Sequence, residues 1–395
     1  MKLLPVEEAR ARMLAAATLL PAEVVDLALA PGRVLAEDVT AIRDQPPFAA
    51  SAMDGWAVRA AETPGALGIA GESAAGHAFE GELGSGQAVR IFTGAAVPDG
   101  ADAIVIQEDA EREGETVRTP ATPAGQHLRP AGGDFHAGDV LLTRGTRIDP
   151  WRLSLAAAAG RATLSVTRRP RVSLFSTGEE IIEAPAIPGP FQIYDSGSRA
   201  LLALAEGWGA LVTRTKPVRD DLDATIAALR AAEGDLVVTV GGASVGDHDL
   251  VRTAAAALDL DMRVASVNVR PGKPTFFGVM GDGRLMLGLP GNPASALVCA
   301  ELFLRPLLDV MQGAAPRALA KARLARPIGA NGPREHWMRA RLANTDGALT
   351  VQPAEDQDSS LVSVFAAADA LLRRPAGAAG AEAGAVVEVL PLARA

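Results

Sequence analysis

"VVTVGGASVGDHD", Val237–Asp249, is an apolar, β-branched run that ends in a glycine–serine loop and closes on two aspartates and a histidine. A run of this kind reads as a buried strand, and glycines after it let backbone N–H groups approach a phosphate. The aspartates would repel that phosphate unless a hard cation bridged the two. Mg2+ is held in this way, by one or two carboxylates together with substrate phosphates.

Working outward, "RVSLFS" reads as a strand, "SRALLALAEGWG" as a helix, "LVTRTKPV" as a strand and "DLDATIAALRAAEG" as a helix before "DLVVTV". A helix over about 249–258 follows, then extended "MRVASVNV" and "TFFGVM", strand "RLMLGL" and a long helix from Pro293. This alternation over 170–314 predicts parallel pairing in a doubly wound sheet, with ligands at the carboxyl ends of the strands. Three loops fall at those ends: Ser176, Thr177, Gly178 and Glu180 after the first strand; Gly241, Gly242 and Ser244 in the opening stretch; Pro290, Gly291, Asn292 and Pro293 after "RLMLGL". Asn292 reads as an N-cap and Pro293 as a first helical residue, which makes that helix start a natural anion site.

"RPGKPTFFG" places Arg270, Gly272 and Lys273 in a rigid turn. Only four of the 38 basic residues are lysines, so a retained compact ammonium at Lys273 is suggestive. The acidic set is Glu180, Asp220, Asp221, Asp247 and Asp249; Asp220 and Asp221 have an alternative role in capping the helix that follows them. His248 stands alone between two aspartates and reads as a surface residue.

The rest of the chain is different in texture. Residues 1–45 and 143–169 read as one discontinuous helical and extended domain, with Val6, Ala9, Met13, Ala16 and Leu20 at helical spacing and a second helix after Pro150. Residues 46–142 are dense in Gly and Pro with short apolar stretches ("WAVRA", "QAVRIFTG", "ADAIVIQED", "DVLLT"), the pattern of a β-rich domain. Residues 315–395 return to short strands ("ALTVQPA", "AVVEVLP") and read as a small C-terminal β-barrel domain. The expected fold is therefore a multidomain α/β plus β chain.

Composition bounds the function. The 395 residues are 48% apolar, with no run long enough to span a membrane, and the N-terminus mixes Glu7 and Glu8 with its arginines as secretion signals do not. A cytoplasmic protein is expected. A net charge of −9 and a pI near 5.2, with one tyrosine and four tryptophans, argue against a nucleic-acid surface. The single cysteine, Cys299, excludes an internal disulfide framework and lies among apolar neighbours, so it reads as a buried small hydrophobe.

In order, "SAMDGWAVR", "IFTGAAVPDGADAIVIQE", "VSLFSTGEE", "QIYDSGS", "GGASVGDHD", "RPGKPTFFG" and "LGLPGNPASA" resemble the molybdopterin molybdenumtransferase family, with the gephyrin E-domain as a relative. The resemblance is thinnest over roughly 60–88, 110–128 and 365–395. It implies insertion of molybdate into the dithiolene of adenylylated molybdopterin, with Mg2+, releasing AMP and molybdenum cofactor. It implies a homodimer whose active site lies between subunits. It also implies, as partners, a molybdopterin adenylyltransferase upstream and apo-molybdoenzymes or their chaperones downstream. Residue by residue, Asp54 and Thr93 would come from the second subunit. Glu180, Asp220 and Asp249 would line the pterin-nucleotide pocket, with Asp220 and Asp249 as the Mg2+ ligands and Gly241, Gly242 and Ser244 as the cradle. Arg270, Lys273, Pro290 and Pro293 match the molybdate and dithiolene end, and Arg334 and Ser359 match it more loosely, with Ser360 an alternative to Ser359. Trp56 stands where the family usually has tyrosine, Ala243 replaces a common valine, and Arg270 replaces a lysine. The rival readings are a molybdopterin adenylyltransferase, which shares this α/β domain, and a non-enzymatic scaffold of the gephyrin type.

Overall fold

The structure, a computed structural model, describes residues 3–242 and 250–392. Ser244, Asp247, His248 and Asp249 of the opening stretch lie outside the described residues.

The strand Leu236–Val240 sits inside a six-stranded sheet of order Leu211–Arg214, Arg171–Ser176, Leu236–Val240, Leu285–Leu289, Phe276–Val279, Asp261–Val264. Side chains alternate along each strand between two apolar layers, as a sheet covered on both faces requires. Val172, Leu174, Val238 and Leu287 pack with Leu201 and Ala205 of helix Gly197–Gly207 and Leu297 of helix Pro293–Cys299. Phe175, Val237 and Met286 face the other way, onto Leu229 of helix Leu222–Ala231 and Val251 of helix Leu250–Ala256. The sheet is doubly wound, as expected.

Pairing is parallel only over its first four strands; the last two are antiparallel. The reason is chain length. Residues 280–284 between Phe276–Val279 and Leu285–Leu289 can only reverse direction, whereas a parallel neighbour needs a crossover of about a dozen residues or more. The helix expected to run unbroken from Pro293 also differs, because a π turn, Ala300–Leu304, precedes the α-helix Arg305–Gln312. Pro306 has no N–H to return to the turn below, and a local π register absorbs that loss.

The C-terminal strands Ala320–Leu324, Glu335–Thr345, Ala348–Pro353, Ala370–Arg374 and Val386–Pro391 close into a five-stranded barrel through pairing of the second with the fourth. A sixth strand, Val269–Arg270, adds to the barrel sheet from the α/β region, with Arg270 opposite His336. Trp337, Leu371 and Leu390 join the α/β core, so the two units share buried apolar surface.

Near the N-terminus, Ala22–Asp26 pairs antiparallel with Thr163–Thr167, and Val39–Thr40 with Val140–Leu142. Helix Pro150–Ala158 starts on Asp149, whose carboxylate accepts the Arg152 N–H at 2.8 Å. The first helix, Val6–Ala16, stops short of Leu20 and packs Val6, Ala9 and Met13 into the α/β core rather than onto these strands. Residues 46–142 hold a second six-stranded sheet of order Ala103–Ile106, Gly55–Val58, Gln87–Ile91, Gly65–Ser73, Thr116–Thr119, Glu111–Glu113.

Candidate active site

A cleft of about 990 Å3 opens at the carboxyl ends of the parallel strands. Its wall includes Ser176, Thr177, Gly178, Glu180, Asp220, Gly241 and Gly242 from the α/β loops, with Pro290, Gly291, Asn292 and Pro293 from the start of the long helix. Arg270, Gly272, Arg334 and Ser359 complete it from the barrel side. With Ser360, the alternative to Ser359, sixteen residues singled out in the sequence therefore share one cavity.

Glycine is required where these loops meet. Gly241 and Gly242 have φ of +88° and +62°, and a Cβ on either would lie 2.8 Å from the Thr177 carbonyl oxygen or 2.4 Å from a Val251 methyl. The Thr177 hydroxyl, 2.7 Å from the place of that absent Gly242 Cβ, is buried with no hydrogen-bond partner among the described residues. An orphaned buried hydroxyl beside a glycine loop is a ready partner for a ligand oxygen. Gly178 has φ of +138°, and the Glu180 carboxylate lies over the place a Cβ would take.

The order of strands sets the charge pattern. Asp220 follows the edge strand Leu211–Arg214 and Glu180 follows its neighbour, so the carboxylates mark one side of the cleft. Asp221 caps helix Leu222–Ala231 by accepting the Ala224 N–H at 2.7 Å, which leaves Asp220 for the cleft, where it accepts the Glu179 N–H at 3.3 Å. Beneath them lies a carboxylate that sequence reasoning missed. Asp195, buried, accepts from Ser176 Oγ at 3.1 Å, the Ser198 N–H at 3.0 Å and Arg214 at 3.0 Å, and Ser198 Oγ donates to it as well. Burial pushes its pKa up, but the donors of Ser198, Arg214 and Ser176 together outweigh burial and hold it below the usual range. The motif "QIYDSGS" contains Asp195, yet nothing in that string marks it as buried.

The barrel side is positive. Burial, and then the charges of Arg270, Arg339, Arg334 and Arg374, push the His336 imidazole down to about 4. Its Nε2 has no partner among the described residues. Arg339, missed in the sequence, is fully buried and clamps the loop that carries Ser359. Its Nη1 donates to the Asp358 and Leu361 carbonyls at 2.9 and 3.3 Å, its Nε donates to Gln357 Oε1 at 3.2 Å, and Gln357 Nε2 donates back to the Arg339 carbonyl at 2.9 Å.

That loop changes the reading of the helix start. Asn292 does not cap the helix; its amide donates to Ser359 Oγ at 2.8 Å. The Ala294 N–H is taken by the Ser359 carbonyl at 3.2 Å. The barrel loop therefore satisfies part of what was expected to be an open anion site. Among the described residues Ser359 Oγ accepts from Asn292 and is not engaged as a donor, whereas Ser360 Oγ donates to Asp358 at 2.6 Å, which separates the two candidate serines.

Three sequence candidates among the described residues lie off the cleft wall. Lys273 is exposed just beyond Gly272. Asp54 and Thr93 lie in the turns beside strands Gly55–Val58 and Gln87–Ile91 of the second sheet, tied to each other: the Thr93 N–H and Oγ donate to Asp54 Oδ1 at 2.7 and 2.8 Å and hold that carboxyl below its usual range. Cys299 is buried against Gly272, and burial pushes its thiol up to about 12, an inert side chain as expected.

Comparison with known proteins agrees along the chain. Residues 4–160 match the model of the MoeA N-terminal region (domain I and II), 173–310 that of a probable molybdopterin binding domain, and 321–392 that of the MoeA C-terminal region (domain IV). A molybdopterin molybdenumtransferase of Staphylococcus aureus is 32% identical over 98% of this chain and 95% of its own. One from a Nostoc species is 36% identical over 94% and 88%. Two crystal structures of the molybdopterin biosynthesis MoeA protein of Pyrococcus horikoshii superpose with TM-scores of 0.81 and 0.84, at 31% and 28% identity; they cover 98% and 99% of this chain and 98% and 100% of theirs. With the strand-end cleft, the glycine cradle and the barrel loop that closes on it, these matches establish that the chain belongs to the molybdopterin molybdenumtransferase family.

Proposed function

We propose that this chain transfers molybdenum from molybdate to the dithiolene of adenylylated molybdopterin and releases AMP. The observation that carries the reading is a single cleft of two signs, with carboxylates at one sheet edge, a glycine cradle at the centre and arginines on the barrel side. A pterin nucleotide needs the first two, and an oxyanion such as molybdate needs the third.

Mg2+ fits the donor set. Glu180 and Asp220 offer hard carboxylate oxygens beside the cradle, and Asp249 is a further proposed ligand outside the described residues. Bound there, the ion would neutralise phosphoanhydride oxygens. The chain's own groups do the rest. Gly241, Gly242 and the Thr177 hydroxyl meet the phosphates. Glu180 orients the water whose attack separates AMP. Arg270 and Arg334 attract the molybdate dianion, with Lys273 at the turn, and Ser359 donates its hydroxyl proton to a molybdate oxygen.

Asp54 and Thr93, tied together away from this cleft, are proposed to serve the cleft of a second copy in a homodimer. Mixing an Asp54→Ala protein with an Asp220→Ala protein tests this. Heterodimers with one intact site should recover activity that neither parent shows. The main reading is tested by AMP release from adenylylated molybdopterin with Mg2+. Release that requires molybdate is expected, and equal release without it would sink the coupling of the two steps. Accumulation of adenylylated pterin from ATP and molybdopterin would identify an adenylyltransferase instead.

A further inference from the structure

One part of the cleft wall is neither charged nor glycine. Ile181–Ile182 and Ile193–Tyr194 form a short parallel ribbon that belongs to none of the larger sheets. Ile181, Ile193 and Tyr194 line the cleft, and Tyr194 is both the only aromatic residue on its described wall and the only tyrosine in the chain. Ile193 and Tyr194 are 56% and 50% exposed, so no core explains them.

The ribbon is nevertheless firmly held. The Ile193 N–H donates to the Glu180 carbonyl at 2.7 Å and the Asp195 N–H to the Ile182 carbonyl at 2.8 Å. The next residue, Asp195, is the buried carboxylate locked by Ser176, Ser198 and Arg214. An exposed aromatic ring on a fixed ribbon, in the wall of the same cleft as the phosphate cradle and the carboxylates, is a surface on which a flat heteroaromatic ring stacks. A backbone held before binding loses little entropy when a ligand arrives.

We infer that Tyr194, flanked by Ile181 and Ile193, is the stacking platform for a flat heteroaromatic ring of the substrate. The inference rests on the proposed function, whose substrate carries two such rings, an adenine and a pterin. Tyr194 acts by binding and takes no part in bond making.

The test compares wild type, Tyr194→Ala and Tyr194→Phe for equilibrium binding of adenylylated molybdopterin, AMP alone and 6-methylpterin alone. Loss of an aromatic platform should weaken adenylylated molybdopterin about tenfold, within the range measured for base–aromatic stacking. Tyr194→Phe, which keeps the ring, should stay within about twofold of wild type. The smaller probe that also loses affinity identifies the ring that stacks. Tyr194→Thr suits a strand and serves as a second variant if the alanine protein melts earlier; the same loss is expected. Alanine and threonine variants that bind all three probes like wild type would overturn the platform and leave the proposed function standing. A wild-type protein that bound no adenylylated molybdopterin would overturn both.

Discussion

The sheet of residues 171–289 and the sheet of residues 55–119 each have six strands, yet they hold polar residues in opposite ways. In the first, loops from adjacent strand ends converge, so Glu180, Asp220, Gly241 and Pro290 share a cavity although they are far apart in sequence. In the second, Asp54 and Thr93 satisfy each other and take no part in the wall of that cavity. Parallel strands point all their carboxyl ends one way and build a site by topology. Antiparallel neighbours scatter their loops to both ends, so such a sheet more readily presents single residues to something else.

The largest effect that tests this contrast is on turnover. Glu180→Gln should lower AMP release about 100-fold or more with folding intact, whereas Thr93→Val should cost only several-fold, by removing the hydroxyl donor to the Asp54 carboxylate while the residue 93 N–H remains. Equal losses would mean that the two sheets contribute to one site on the same terms. Next is Asp195→Ala, which leaves the largely buried Arg214 with Glu183 as its remaining anionic partner and should cost about 3 kcal/mol in denaturant unfolding. A cost below 1 kcal/mol would show that the cleft floor is not built on this carboxylate.

His336 supplies a pH signature of similar or smaller size. The unfolded chain takes up a proton near the ordinary value of 6.5, while the folded protein does so only near about 4. Between these values the unfolded state binds more protons, so stability falls as pH drops through the window, by up to about 3 kcal/mol. His336→Gln should flatten that slope; an unchanged slope would place the titration elsewhere. The smallest effect belongs to the β-rich sheet. Arg90 stacks over Trp56 and Phe92 at 5.4 and 4.8 Å, and Arg90→Gln should cost about 1 kcal/mol in thermal unfolding without changing AMP release.

The α/β region was legible because its strands Arg171–Ser176, Leu236–Val240 and Leu285–Leu289 are compact apolar runs, each followed by a glycine-containing loop, and a local pattern sufficed. The strand Gly65–Ser73, "GALGIAGES", was missed, since glycine and alanine carry weak β preference and only its neighbours Gln87–Ile91 and Thr116–Thr119 make it a strand. The 11-residue strand Glu335–Thr345 was missed too. Its adjacent buried pairs, His336 with Trp337 and Arg339 with Ala340, two of them charged or titratable, break the alternation that an isolated strand would show. In the site, loop residues next to glycines were found and Asp195 and Arg339 were not. Both are charges whose burial depends on partners distant in sequence, such as Arg214, Gln357 and Asp358. Charge reads as surface until its partners are known.

The two-residue strand Val269–Arg270 bears on whether the chain can be divided. It takes its place from the barrel by pairing with Glu335 and His336, while the turn after it is packed on Cys299 of the long helix. A fragment ending near residue 318 would keep nearly all of the nucleotide pocket in sequence. It would also lose the neighbour that aligns Arg270, bare a strand edge open to self-association, and uncover the apolar surface now under Trp337, Leu371 and Leu390. The molybdate end is thus not an accessory added to a finished nucleotide-binding module, and excising that module should yield an aggregating protein rather than a half-enzyme.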